Sequence, residues 1–176
     1  MGGPLDSSAQ TNQNPQKHSN MAYTTPFVIE KLREAANRLE SDNDYHWGHT
    51  GRCNCGTLAQ CITDLSASEI YRQSQAQRLG EWSEFADTYC ENSGAPVDSI
   101  IDAMIQAGFN LKDIRHLEHL SDRKILRAVP GGPRYLRKSS KTDVILYMRT
   151  WAGLLEIEAK EKAKARAAKT PASISI

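Results

Sequence analysis

From Phe27 onward, apolar side chains recur at three- and four-residue intervals, the spacing of helices with one face turned inward. Phe27, Ile29, Leu32, Ala35, Ala36 and Leu39 form the first stripe. Thr25 followed by Pro26 supplies its N-cap and a proline at the first helical position. A second helix is predicted over Asn54 to Asp64, with Leu58, Cys61, Ile62 and Leu65 at helical spacing. Ser66-x-x-Glu69 is a capping box that opens a third. Trp82, Phe85, Ala86, Tyr89 and Cys90 mark a fourth.

Gly94-Ala95-Pro96 breaks the chain before a helix over Val97 to Ala107, which Gly108 closes. Asn110-x-x-Asp113 caps the next, with Ile114, Leu117 and Leu120 facing inward, and Ser121 is expected to cap a short one ending before Pro130-Gly131-Gly132-Pro133. A long last helix begins near Thr142; Val144–Tyr147 alone would suit a strand, but the continuation keeps helical spacing. The pattern predicts an all-α, single-domain bundle of about eight mostly short helices.

The ends depart from this pattern. Residues 1–22 are rich in Gln, Asn, Ser and Pro and are expected to form a disordered tail, in which His18 carries no weight and Met21 offers a second candidate start. The globular domain is expected over 23–158. Residues 159–176 read as a charged, solvated helix extension that frays at Thr170-Pro171. A net charge of +1 gives no global field that would favour nucleic acid or an anionic membrane. The basic groups Arg134, Arg137, Lys138, Lys141 and Lys160 to Lys169 carry no run of interleaved aromatics and no helix-turn-helix pattern, so nucleic acid is not the expected partner; a protein partner or a second copy remains open. No apolar run reaches the roughly 18 residues of a membrane span, and the N-terminus has neither a secretory nor a myristoylation pattern. The expected location is the cytoplasm, where four cysteines remain reduced or ligate metal.

One segment concentrates chemistry: Tyr45-His46-Trp47-Gly48-His49-Thr50-Gly51-Arg52-Cys53-Asn54-Cys55-Gly56. Imidazole and thiolate are the usual zinc ligands, and glycines let short loops converge, so His46, His49, Cys53 and Cys55 are candidate ligands. His116 and His119, three apart on one helix face, could complete such a site. Cys-x-Cys is not the common zinc-finger spacing, and two helical residues two apart point about 200° away from each other, so chelation requires these cysteines to lie in a turn.

The same segment also reads as a reactive thiol. At the start of a helix near Asn54, free N–H groups and the macrodipole would stabilise a thiolate. Cys55 is then the preferred nucleophile, with approach open beside Gly56, Cys53 the alternative, and His49 the base. Arg52 would favour the thiolate, and Asp87, Asp113 or Asp122 would orient the histidine. In the third reading the segment is structural, with Trp47 anchoring the loop of an interaction module. Cys61 and Cys90 fall on core stripes and are expected to be buried thiols.

Overall fold

The computed structural model describes residues 22–169. Of the expected tail over 1–22, residues 1–21, with His18 and Met21, lie outside the described residues, as do residues 170–176 of the expected extension over 159–176, whereas Ala22 is buried. Eight helices and no strand occur among the described residues: α1 (Pro26–Ser41), α2 (Asn54–Thr63), α3 (Ala67–Gln75), α4 (Trp82–Thr88), α5 (Pro96–Ala107), α6 (Leu111–His119), α7 (Arg123–Ala128) and α8 (Lys141–Lys169). None is long and apolar enough to cross a membrane.

Local capping chemistry sets most boundaries. The Thr25 hydroxyl accepts from Val28 N at 3.2 Å, and complete capping boxes open α3 at Ser66/Glu69 and α6 at Asn110/Asp113. Gly108 ends α5 at φ +114, a conformation that costs a residue without Cβ little. Val144–Tyr147 is helical, inside α8.

Three details differ from the pattern. Phe27 is exposed and Val28 is fully buried in its place, so the inward stripe of α1 is shifted by one residue at its start. The cap of α7 is Asp122, whose carboxylate accepts from Lys124 N and Ile125 N; Ser121 instead pairs with His116 Nδ1 at 2.7 Å. Cys90 is exposed, because α4 stops at Thr88 and Tyr89 turns to φ −53, ψ 133, which ends the helical phase before Cys90.

Helix α8 lies along α1, α7 packs on α8, and α2 is enclosed by α1, α3, α5 and α6, with α4 against α6. Arg149 to Glu40 at 2.6 Å and Arg33 to Glu156 at 2.7 Å tie α1 to α8 at the surface. Phe109, Tyr147 and Trp151 form an edge-on aromatic cluster in the core, and Trp82 and Phe85 form another. Beyond Leu155, α8 leaves the core and is mostly exposed to Lys169.

Asp113 is buried within this frame, and burial pushes its carboxyl up from 3.8 to about 7, against the lowering effect of the Asn110 N–H that it accepts. The folded state therefore keeps a proton that the unfolded chain releases. That stabilisation is complete below pH 3.8, is lost as pH rises to about 7, and is absent above. Asp113→Asn removes the titration, so its stability relative to wild type should improve by roughly 2–4 kcal/mol between pH 4 and pH 8. Urea unfolding of both proteins across that range measures the gap, and parallel pH profiles would refute the assignment.

Candidate functional site

The Tyr45–Gly56 segment crosses from α1 to α2 as a tight double turn: His49 N donates to His46 O at 3.1 Å, Arg52 N to His49 O at 2.8 Å and Cys53 N to His49 O at 3.0 Å. Two glycines permit this path. A Cβ on Gly51 would stand 1.9 Å from Ala67 O, and one on Gly56 would stand 2.1 Å from Thr50 O. The loop is also fastened from outside. Trp82 Nε1 donates to Thr50 O at 3.0 Å, the Thr50 and Ser74 hydroxyls meet at 2.6 Å, and Gln60 Nε2 donates to Gly51 O at 2.7 Å. Buried Asn54 donates from Nδ2 to Leu117 O and Glu118 O, both at 3.0 Å, and Tyr45 Oη lies 2.7 Å from Asn54 Oδ1. The segment thereby locks α2 to α3, α4 and α6.

Both cysteines belong to that lock. Cys53 is the N-cap of α2, its sulfur accepting from Gly56 N at 3.5 Å, and Cys55 Sγ donates to Ile114 O at 3.4 Å. Neither is open to solvent. Burial pushes the Cys53 thiol up to about 12 and the Cys55 thiol well above its ordinary value. The thiolate-stabilising effect expected of the helix start is present in the Gly56 N–H, but desolvation of the charged form outweighs it. The approach expected beside Gly56 is filled by the backbone of Thr50 and Gly51. Arg52 pairs with Asp44 at 3.5 Å.

The histidines are dispersed. His49 stacks on Tyr71 with ring centroids 4.3 Å apart, and its Nδ1 accepts from Gly51 N at 3.2 Å. Burial holds its pKa below the ordinary value, and neighbouring Arg52 acts in the same direction. His46 is exposed with its ring beside Gly48. His116 is held by Ser121, with burial lowering its pKa, while His119 Nδ1 lies 3.3 Å from Lys138 Nζ. No three of His46, His49, Cys53, Cys55, His116 and His119 bring ligand atoms within 4.8 Å of one another. The proposed orienting carboxylates are engaged elsewhere: Asp87 pairs with Arg115 at 2.6 Å, Asp113 caps α6 and Asp122 caps α7.

Two depressions adjoin the loop, one of them lined by Trp47. The larger, a groove of about 500 Å³, is lined by residues that include His46, His49, Arg52 and Tyr71. The smaller, a cleft of about 250 Å³, is lined by Trp47, Gly48, Thr50, Cys53, Gly80, Glu81, Trp82 and Glu118. Glu118 is 5% exposed and meets the start of α4: its two oxygens accept from Trp82 N and Ser83 N, each at 2.7 Å. Glu81, Glu118 and His119 are the three-residue His/Cys/Asp/Glu group that does converge, with ligand atoms within 4.8 Å among the described residues. Of these only His119 stood out in the sequence. The available signal for Glu118 was its place four residues after Ile114 and next to Leu117, on the buried face of α6.

No known family model, curated protein or solved structure matches this chain.

Proposed function

We propose that this protein is a non-catalytic binding module in which the Cys/His/Trp segment frames a recognition surface around Trp47. One observation carries the reading: Cys53 and Cys55 are enclosed and hydrogen-bonded internally, so the residues that resembled a nucleophile or a zinc knot are used to build the loop. The two depressions beside the loop, one of them lined by Trp47, are concave, partly aromatic and supplied with a few polar groups, as ligand sites commonly are. Cytoplasmic residence, with its thiols reduced, belongs to the same proposal.

Thiol mapping of the native protein and elemental analysis of untagged material test it together. Cys90, the exposed cysteine, should be alkylated at the rate of a free thiol, with Cys53, Cys55 and Cys61 labelled only on unfolding and no stoichiometric metal present. Fast labelling of Cys53 or Cys55 would return the reading to a thiol enzyme using a histidine base. One zinc per chain, with those thiols released by chelator, would return it to a metal site.

A further inference from the structure

We propose that the loop around Tyr135 binds single-stranded nucleic acid through phosphate contacts and base stacking, on a surface that does not depend on the Trp47 reading. The run from Arg123 to Lys141 holds seven Lys and Arg residues and no Asp or Glu, in a chain whose net charge is +1. The near-neutral total, which by itself disfavours nucleic acid, therefore averages over segregated charge. The three lysines of the run are engaged: Lys124 lies 3.9 Å from Glu158, Lys138 Nζ stands 4.1 Å from the Trp47 ring centroid, and Lys141 donates to Asp42 O at 2.7 Å. Arg123, Arg127 and Arg134 are exposed and have no hydrogen bond, ion pair or ring contact among the described residues. Tyr135 stands beside Arg134 at 84% exposure, the highest of the exposed large apolar side chains described, and it too lacks a partner.

The loop is fastened on both sides of this ring. Val129 and Leu136 are buried, Arg137 N donates to Asp143 Oδ2 at 2.9 Å, and Lys138 O accepts from Tyr45 Oη at 2.6 Å. An aromatic ring held out on a fixed backbone lowers the ordering cost of binding. Chain length limits the Cα separation of Arg127 and Arg134 to about 25 Å, and the turn closed by Gly132 N on Val129 O at 3.0 Å shortens it. The chemistry then selects the partner. Guanidinium groups meet phosphate oxygens with a planar fork and also stack on flat rings. An exposed tyrosine beside cations is a stacking platform for an unpaired base. An anionic membrane draws Lys and Arg alike and is entered by apolar side chains; Leu126 is half-buried and Leu136 buried, which leaves Tyr135 as the exposed large apolar side chain of the run.

The test is fluorescence anisotropy of the full chain with fluorescein-labelled decauridylate across a range of salt concentrations. Binding should weaken with salt at a log–log slope of about −2 to −3, the counterion release expected from three or four phosphate contacts on a single strand. Arg134→Ala should reduce the size of that slope by about 0.7. Tyr135→Ala should weaken binding roughly tenfold at an unchanged slope, while Tyr135→Phe binds as wild type does. Both side chains are exposed, so the variants should unfold at the wild-type temperature. An abasic decamer should lose the same roughly tenfold. Decathymidylate differs chiefly in its sugar; a preference between the two decamers identifies which polymer is bound, and either supports the proposal. Tyr135→Ala binding as tightly as wild type would overturn it, and so would equal competition by polyglutamate, since both describe a site for any polyanion. Binding to vesicles of phosphatidylcholine and phosphatidylserine with both decamers silent would overturn it in favour of a membrane. Silence from every probe would overturn it outright.

Discussion

Gly51→Ala will destabilise the protein by about 3 kcal/mol or more, the upper end of what overpacking costs, although it adds a single methyl group. The new Cβ would stand 1.9 Å from Ala67 O, 2.7 Å from Ala67 C and 2.9 Å from Ala67 Cα. All three atoms are backbone at the first residue of α3, so no side-chain rotation relieves the contact. Relief requires the Thr50–Cys53 turn to lift away from α3. That movement would strain the Thr50–Ser74 hydroxyl pair, the Trp82 indole bond to Thr50 O and the Gln60 bond to Gly51 O. Gly48→Ala is the internal control: its Cβ would meet only the His46 side chain, at 3.4 Å, so a change within about 0.5 kcal/mol is expected. Urea midpoints of the two variants decide the matter. Equal stabilities would mean that the double turn is soft and does not fix α2 against α3.

The helices were largely legible because their starts and stops are local chemistry. Thr25-Pro26, Ser66-x-x-Glu69 and Asn110-x-x-Asp113 each close a hydrogen-bond pattern within four residues, and Gly108 supplies its positive φ unaided. Errors arose where two neighbours suited the same role. Phe27 and Val28 are both apolar, and packing decides between them: Val28 lies against Gly108 at the end of α5, while Phe27 stays exposed. Ser121 and Asp122 are both good caps, and the bond of Ser121 to His116 leaves the helix to Asp122.

The chemistry was less legible for a different reason. The density of His and Cys over His46–Cys55 was visible, but whether a thiol ionises depends on burial, and burial here comes from α6 and the 50–51 backbone. Glu81 and Glu118 are 37 positions apart by their residue numbers, one at the N-cap of α4 and the other in α6, and no spacing rule connects them.

Glu118 is the residue in this cleft whose loss should be felt most. Glu118→Ala is expected to cost about 3 kcal/mol or more, and Glu118→Gln roughly half of that. The seven-residue α4 has N–H groups at its start that no turn of the helix can satisfy, and Trp82 N and Ser83 N find their partners in the two oxygens of this one side chain, each at 2.7 Å. Alanine removes both acceptors and leaves a buried N–H at Trp82. Glutamine keeps one acceptor but turns an NH₂ toward the other N–H, so the near-isosteric change is not conservative. The damage should be local before it is global. Amide exchange at Trp82 and Ser83 should speed up in both variants, with α1 and α8 protected, because those helices share no bond with Glu118. If Glu118→Gln unfolds with wild-type stability and wild-type exchange at those two amides, then water caps α4 adequately, and the carboxylate is available for a ligand rather than held by the fold.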